Sequence, residues 1–198
     1  MTQTVGLLSY GESANTYSVK KALEKVGSQV RPIEVRSDFS LVDKLLLPGV
    51  GGFKDAMHHI EGISSFLVDE MLEKPTLGIC LGMQILAKTG YEYGLTAGLG
   101  LIHADVKKMN VNGKVPHLGW APLTIVHPAP IFDGITPADN FYFMHSYEVV
   151  NTESVALSRY CDHMFISAIR KGDIYGVQFH PEKSREQGLK ILTNFINL

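Results

Sequence analysis

The chain has 198 residues, 45% of them apolar and 19% charged, which suits a domain able to bury its own core without a disulfide or metal staple. A net charge of −2 excludes a concentrated phosphate-neutralising surface, since the densest basic stretches are only Lys20-Lys21 and Lys107-Lys108. Two cysteines are too few for a disulfide framework, no apolar run approaches the roughly 20 residues of a membrane span, and Met1–Val5 has no signal-peptide character. The expectation is a cytoplasmic protein with no nucleic-acid and no membrane partner.

The first half alternates short apolar runs with helical patterns. Val5–Leu8 reads as a buried strand. Val19, Ala22, Leu23 and Val26 then recur at helical spacing, with Lys20, Lys21, Glu24 and Lys25 opposite them, until Gly27 stops the helix. Gln29–Val35 is a second strand and Leu45–Leu47 a third, ending at Pro48-Gly49. A helical region over Phe53–Leu72 leads to a fourth strand, Thr76–Ile79, with another helical pattern after it. Strand–helix–strand order implies a mostly parallel central sheet with helices on both faces.

Beyond about residue 95, Gly-, Pro- and Asn-punctuated strands take over: Leu101–Lys108, Leu123–Val126, Phe141–Val150, Phe165–Arg170 and Ile174–Phe179. Asn112-Gly113 and Lys171-Gly172-Asp173 read as hairpin turns, so an antiparallel region is added to the parallel core. Arg185–Ile196 closes the chain as a helix with Leu189, Leu192, Phe195 and Ile196 on one face. With no linker, repeat or low-complexity segment, residues 1–198 are expected to form a single α/β domain.

Chemistry concentrates at Cys80, in Gly78-Ile79-Cys80-Leu81-Gly82 at the end of the fourth strand. Reactive groups in open parallel sheets collect at the carboxyl ends of strands. Small residues on either side of a nucleophile permit a strained strand-to-helix turn. A following helix aims its positive end at the sulfur and leaves amides, from Leu81 on, free for an oxyanion. The alternative is a buried structural thiol. Later, Ile174, Gly176, Gln178 and His180 share one face of an extended segment. Pro181 holds His180 extended, and Glu182 is close enough to bond its distal nitrogen. Nucleophile, base and orienting acid form a triad; the alternative for His-Pro-Glu alone is a satisfied histidine and a solvated acid.

The Gly-rich loop Leu47-Pro48-Gly49-Val50-Gly51-Gly52-Phe53 matches no nucleotide-binding pattern. It could supply a further oxyanion donor, cradle a substrate carboxylate, or be an ordinary tight turn. His58, His59, His103, His127 and His163 lack partners at metal-ligand spacing, so no metal and no cofactor are expected, and Cys161 reads as structural.

Gly78–Gln84 together with Gln178-Phe179-His180-Pro181-Glu182-Lys183-Ser184 resembles the class I glutamine amidotransferases. Leu47–Gly51, Val115-Pro116-His117-Leu118-Gly119-Trp120 and Phe141-Tyr142-Phe143-Met144-His145-Ser146-Tyr147 are similar, more narrowly, to the glutaminase subunits of imidazole glycerol phosphate synthases. The resemblance implies that fold and glutamine hydrolysis by Cys80, His180 and Glu182. It implies oxyanion N–H groups on Val50 and Leu81, and glutamine held by Gly51, Gln84, His145, Ser146 and Tyr147. It also implies a heterodimer with a (β/α)8-barrel cyclase subunit that receives the ammonia, with Asn15, His117, Trp120 and Lys183 facing that partner. From residue context alone Trp120 reads as either a core or an interface side chain.

The first loop, Ser9-Tyr10-Gly11-Glu12-Ser13-Ala14-Asn15-Thr16, departs from the family's Asp-Tyr-Gly-x-Gly-Asn-Leu and is one residue longer. That leaves a sugar-modifying synthase of surface polysaccharide biosynthesis as an alternative partner. A stand-alone γ-glutamyl hydrolase is an alternative enzyme. A degenerate regulatory module is a third reading, against which the intact Cys80, His180 and Glu182 stand.

Overall fold

The computed structural model describes residues 3–9 and 16–198. Asn15 and most of the atypical first loop lie outside the described residues. Three parallel strands begin the fold, β1 (Thr4–Leu8), β2 (Gln29–Ile33) and β3 (Lys44–Leu47), with α1 (Thr16–Lys25) between the first two. Next come α2 (Phe53–His59), α3 (Ser64–Glu73), β4 (Thr76–Ile79) and a five-residue α4 (Leu81–Ile85). The remaining strands are β5 (Ala87–Gly90), β6 (Thr96–Ala97), β7 (Ile102–Lys108), β8 (His117–Pro122), β9 (Thr124–Ile125), β10 (Asn140–His145), β11 (Tyr147–Val150), β12 (Ala156–Tyr160), β13 (His163–Lys171) and β14 (Ile174–Val177), before the closing helix α5 (Arg185–Ile196).

The main sheet has the order β2-β1-β3-β4-β14-β13-β12-β9. The pairs from β2 to β14 are parallel and those from β14 to β9 antiparallel. The last strand in the sequence, β14, is thus inserted beside β4, with Val177 paired to Ile79. This register puts the two segments that follow these strands at the same edge of the sheet.

Every residue of β3 and β4 is buried, as expected of strands covered on both faces. On one face, Val5, Leu46 and Leu77 pack with Val19 and Leu23 of α1 and Ile191, Leu192 and Phe195 of α5. On the other, Leu8, Leu45 and Leu47 pack with Phe53 and Ala56 of α2 and Leu67 and Met71 of α3. Each such side chain contributes roughly 1.5–3 kcal/mol by leaving water. The expected mostly parallel sheet, helices on both faces and added antiparallel region are all present.

Several local expectations are corrected. The Phe53–Leu72 helix is two helices, divided by a 3-10 turn at Glu61–Ile63. The helical pattern after Cys80 ends at Ile85, and the chain turns into β5 to pair with β7. Phe141–Val150 is two strands in different sheets: His145 pairs with His117, whereas Tyr147 pairs with Lys108, and the backbone bends at Ser146 between them. Asn112-Gly113 is no hairpin turn, because it joins β7 to β8, which pair with other strands. Lys171-Gly172-Asp173 does close a hairpin, with Lys171 opposite Ile174. The buried face of α5 centres on Ile191, Leu192 and Phe195, leaving Leu189 and Ile196 at its margin. No helix among the described residues is long and apolar enough to cross a membrane.

Candidate active site

Cys80 follows β4 directly with φ 48° and ψ −101°, a conformation that costs a non-glycine residue on the order of 1–3 kcal/mol and needs support. Its amide donates to Val177 O of β14 at 2.7 Å, and its carbonyl accepts from Gln84 N at 3.0 Å as α4 begins. The flanking glycines let the turn pack this tightly. A Cβ on Gly78 would lie 2.5 Å from Gly82 O, and one on Gly82 would overlap the backbone carbonyl of Leu47 in β3. The Gly-x-Cys-x-Gly spacing is therefore a packing requirement between neighbouring strands as well as a turn signal.

His180 lies three residues beyond β14 and its side chain is fully buried. Its amide donates to Tyr142 O at 2.8 Å, and its carbonyl accepts from the Ser184 hydroxyl at 2.6 Å. A 3-10 turn at Pro181–Lys183 brings Glu182 back to the ring, so that Nδ1 donates to Glu182 Oε1 at 2.8 Å. Nε2 is thereby left to face Cys80. Burial opposes charge on this imidazole, but the neighbouring Cys80 sulfur and the Glu182 carboxylate behind the ring outweigh it and push the pKa up to about 10. The ring thus keeps its proton at neutral pH and faces the sulfur with it.

Gln178 donates from Nε2 to Cys80 Sγ at 3.3 Å, and its Oε1 accepts from Gln84 Nε2 at 3.2 Å. Gln84 Nε2 also donates to Tyr147 O at 3.0 Å. A buried amide chain thus links the sulfur to the start of β11. In the sequence Gln178 shares a face with His180 and opens the Gln178–Ser184 block, but its bond to the sulfur depends on the fold.

A cavity of about 390 Å³ opens over Cys80. Val50, Gly51, Leu81, Gln84, His145, Ser146 and Tyr147 all line it, so the structure brings together the groups expected to touch substrate. Glu92, Tyr93 and Lys108 line it too, and no sequence motif points to them. A larger cleft of about 650 Å³ runs beside α2 and α3, but it shares no lining residue with the Cys80 cavity.

Of the residues expected to face a partner, Trp120 is 43% exposed, with the Arg185 guanidinium 4.9 Å from its ring centre, and Lys183 is also exposed. His117 is corrected. It is 3% exposed, stacked on Tyr160 at 4.1 Å and on Phe143 at 5.2 Å, and it presents no ring surface to a partner. Inward alternation along β8 places it there.

Burial lowers the pKa of His117 to about 4 and that of His145 to about 3, so both rings are neutral near pH 7. The stability linked to them is fully present above the ordinary value of 6.5 and is lost as pH falls through these lowered values. The thermal midpoint should therefore fall on acidification below about pH 6.5. His117→Phe should make that fall shallower without loss at neutral pH, because His117 Nδ1 has no hydrogen-bond partner among the described residues. Melting curves across this pH range for the two proteins check it.

Comparison with known proteins adds to this geometry. The family model "Glutamine amidotransferase class-I" matches residues 8–198. A Campylobacter jejuni (strain RM1221) protein named imidazole glycerol phosphate synthase subunit HisH 1 is 42% identical, over 98% of this chain and 100% of its own. The Aquifex aeolicus imidazole glycerol phosphate synthase subunit HisH is 41% identical, over 96% and 94%, and that of Moorella thermoacetica 38%, over 96% and 93%. Among solved structures, PurLQS from Thermotoga maritima superposes with a TM-score of 0.77 at 19% identity, covering 100% of this chain and 99% of its own. A glutamine amidotransferase from the same organism gives 0.65 at 18%, covering 92% and 77%. At those identities the structural likeness speaks to the fold.

Proposed function

We propose, from the premise that this chain belongs to the class I glutamine amidotransferase family and within it to the HisH subunits of imidazole glycerol phosphate synthase, that Cys80, His180 and Glu182 carry out its glutamine hydrolysis. The chain is an enzyme, the glutaminase subunit of histidine biosynthesis. The observation that carries the residue assignment is the ring of His180, held between the Glu182 carboxylate at 2.8 Å and the sulfur of Cys80 on the floor of a cavity.

The Cys80 thiolate attacks the side-chain amide carbon of glutamine, forming a C–S bond and a tetrahedral oxyanion. The N–H of Leu81, in the first turn of α4, and that of Val50 take up the negative charge. His180 Nε2 gives its proton to the amide nitrogen, the C–N bond breaks, and ammonia leaves. Water, losing a proton to the now neutral imidazole, attacks the thioester, and glutamate departs as the thiolate re-forms. Glu182 holds the ring in the tautomer that points Nε2 at the sulfur. The mouth of the cavity, with Gly51, Gln84, His145, Ser146 and Tyr147, holds the rest of the glutamine.

The ammonia is handed to a (β/α)8-barrel cyclase subunit in a cytoplasmic heterodimer, with Trp120 and Lys183 on the contact surface and the whole chain acting as one amidotransferase domain. Relatives at about 40% identity over nearly the whole chain support this acceptor over a sugar-modifying synthase. The purified chain alone is expected to hydrolyse glutamine slowly and to speed up when a ligand-bound cyclase is added, because the Val50 amide must turn toward the oxyanion within a glycine-flanked loop. Glutamate release with and without the partner tests this; full activity in the chain alone would contradict partner control.

A further inference from the structure

The bend at Ser146, where the chain leaves β10 of one sheet for β11 of another, carries His145, Ser146 and Tyr147 of the Cys80 cavity. Its backbone is pinned at two points. Met109 N donates to Ser146 O at 2.9 Å, and Tyr147 O accepts from Gln84 Nε2 at 3.0 Å and from His145 Nδ1 at 2.9 Å. A further tie comes from the main sheet. Glu148, the next residue, alternates away from the face on which Val149 joins the core, yet it is itself buried, at 5% exposure. A carboxylate taken out of water needs a partner. His163, the first residue of β13, supplies it: Nε2 lies 2.9 Å from Oε1 of Glu148 and 2.8 Å from Oε2. Two residues on, and so on the same face of β13, the Phe165 ring packs on that of His145 with centres 5.0 Å apart. One short stretch of β13 therefore grips the chain on both sides of the bend, by ring packing before it and by a hydrogen-bonded pair after it.

We propose that Glu148 and His163 are positioning residues for glutamine binding, their hydrogen-bonded pair fixing the Ser146–Tyr147 bend at the mouth of the Cys80 cavity. This rests on the glutaminase reading of the site. Neither side chain lines the cavity, so their effect on substrate passes through the backbone of the bend. A hydrogen-bonded pair sets one separation between β11 and β13, whereas two apolar side chains fill the same space without setting it.

Glutamine hydrolysis by the enzyme assembled with its cyclase partner tests this. His163→Ala should raise KM for glutamine about tenfold or more and leave kcat within roughly threefold of the parent, because the triad is untouched. His163→Gln, whose amide can still donate to Glu148, should keep KM within about threefold of the parent. The double variant Glu148→Leu, His163→Leu leaves no stranded carboxylate, and so it answers even if His163→Ala fails to fold. It should melt near the parent temperature while its KM rises as in His163→Ala. A parent-like KM in the double variant, an equal rise in His163→Gln, or a loss confined to kcat would each overturn the proposal. Collapse of the double variant's fold would overturn it too, by making the pair a requirement of folding. Cys80→Ala is assayed alongside. If it retains glutamine hydrolysis, the glutaminase reading itself fails. If it is inactive while the double variant has the parent's KM, only the positioning role fails.

Discussion

Cys80→Ala should lower glutamine hydrolysis by on the order of 10⁴-fold or more, because the remaining groups can stabilise an oxyanion but have no nucleophile to generate one. Synthesis by the assembled enzyme from free ammonium should continue near the parent rate, since the substitution lies in the glutaminase cavity and the acceptor chemistry belongs to the partner. Fold loss is a minor concern. Cys80 is 6% exposed, and the turn is held by its amide bond to Val177 O and by the fit of Gly78 and Gly82, all of which alanine preserves. The strained φ of 48° would be inherited by alanine unchanged. Paired assays with glutamine and with ammonium salts check the expectation. Loss of both activities would place Cys80 in a shared structural role and remove the case for two separate sites.

The second large effect is expected at the pair behind the sulfur. His180→Asn should cost a similar factor, on the order of 10⁴, since the imidazole both stabilises the thiolate and delivers the proton to the departing amide nitrogen. Glu182→Gln should cost less, on the order of 10²-fold or more, by presenting an amide that can donate to Nδ1 and so favour the wrong tautomer. Reactivity of the sulfur gives a readout independent of turnover. Alkylation of Cys80 at neutral pH should slow markedly in His180→Asn, because the imidazole that Glu182 holds against the sulfur is removed. An alkylation rate unchanged in His180→Asn would show that the imidazole does not set the state of the thiol.

How far the sequence can be read follows from how local each signal is. β4 and α5 have the bounds expected of them, because an apolar run ending in glycines and a 3.6-residue stripe are both written in adjacent residues. The geometry around Cys80 and His180 is legible for the same reason: each sits in its own short block, and only their meeting needs the sheet. Signals that depend on distant pairing mislead. Phe141–Val150 is continuous in pattern, yet it crosses between sheets at Ser146, a choice made by the partner strands β8 and β7. β5 and β12, Ala-Lys-Thr-Gly and Ala-Leu-Ser-Arg-Tyr, are too short and too polar to announce themselves. His117 carries a family motif, but the aromatic stack of Tyr160, Phe143 and Phe165 that buries it comes from three other strands. Glu92 has no motif at all; its bond to Phe53 joins residues far apart in the chain.

The central claim is that glutamine becomes covalently attached to Cys80 before ammonia is released. Mixing the assembled enzyme with glutamine, quenching in acid within one turnover, and mapping peptides by mass spectrometry tests it most directly. The expected result is a γ-glutamyl thioester on the peptide containing Cys80, absent in Cys80→Ala and decaying as glutamate appears. Hydrolysis at the parent rate with no adduct on Cys80, or with the adduct on Cys161, would contradict it.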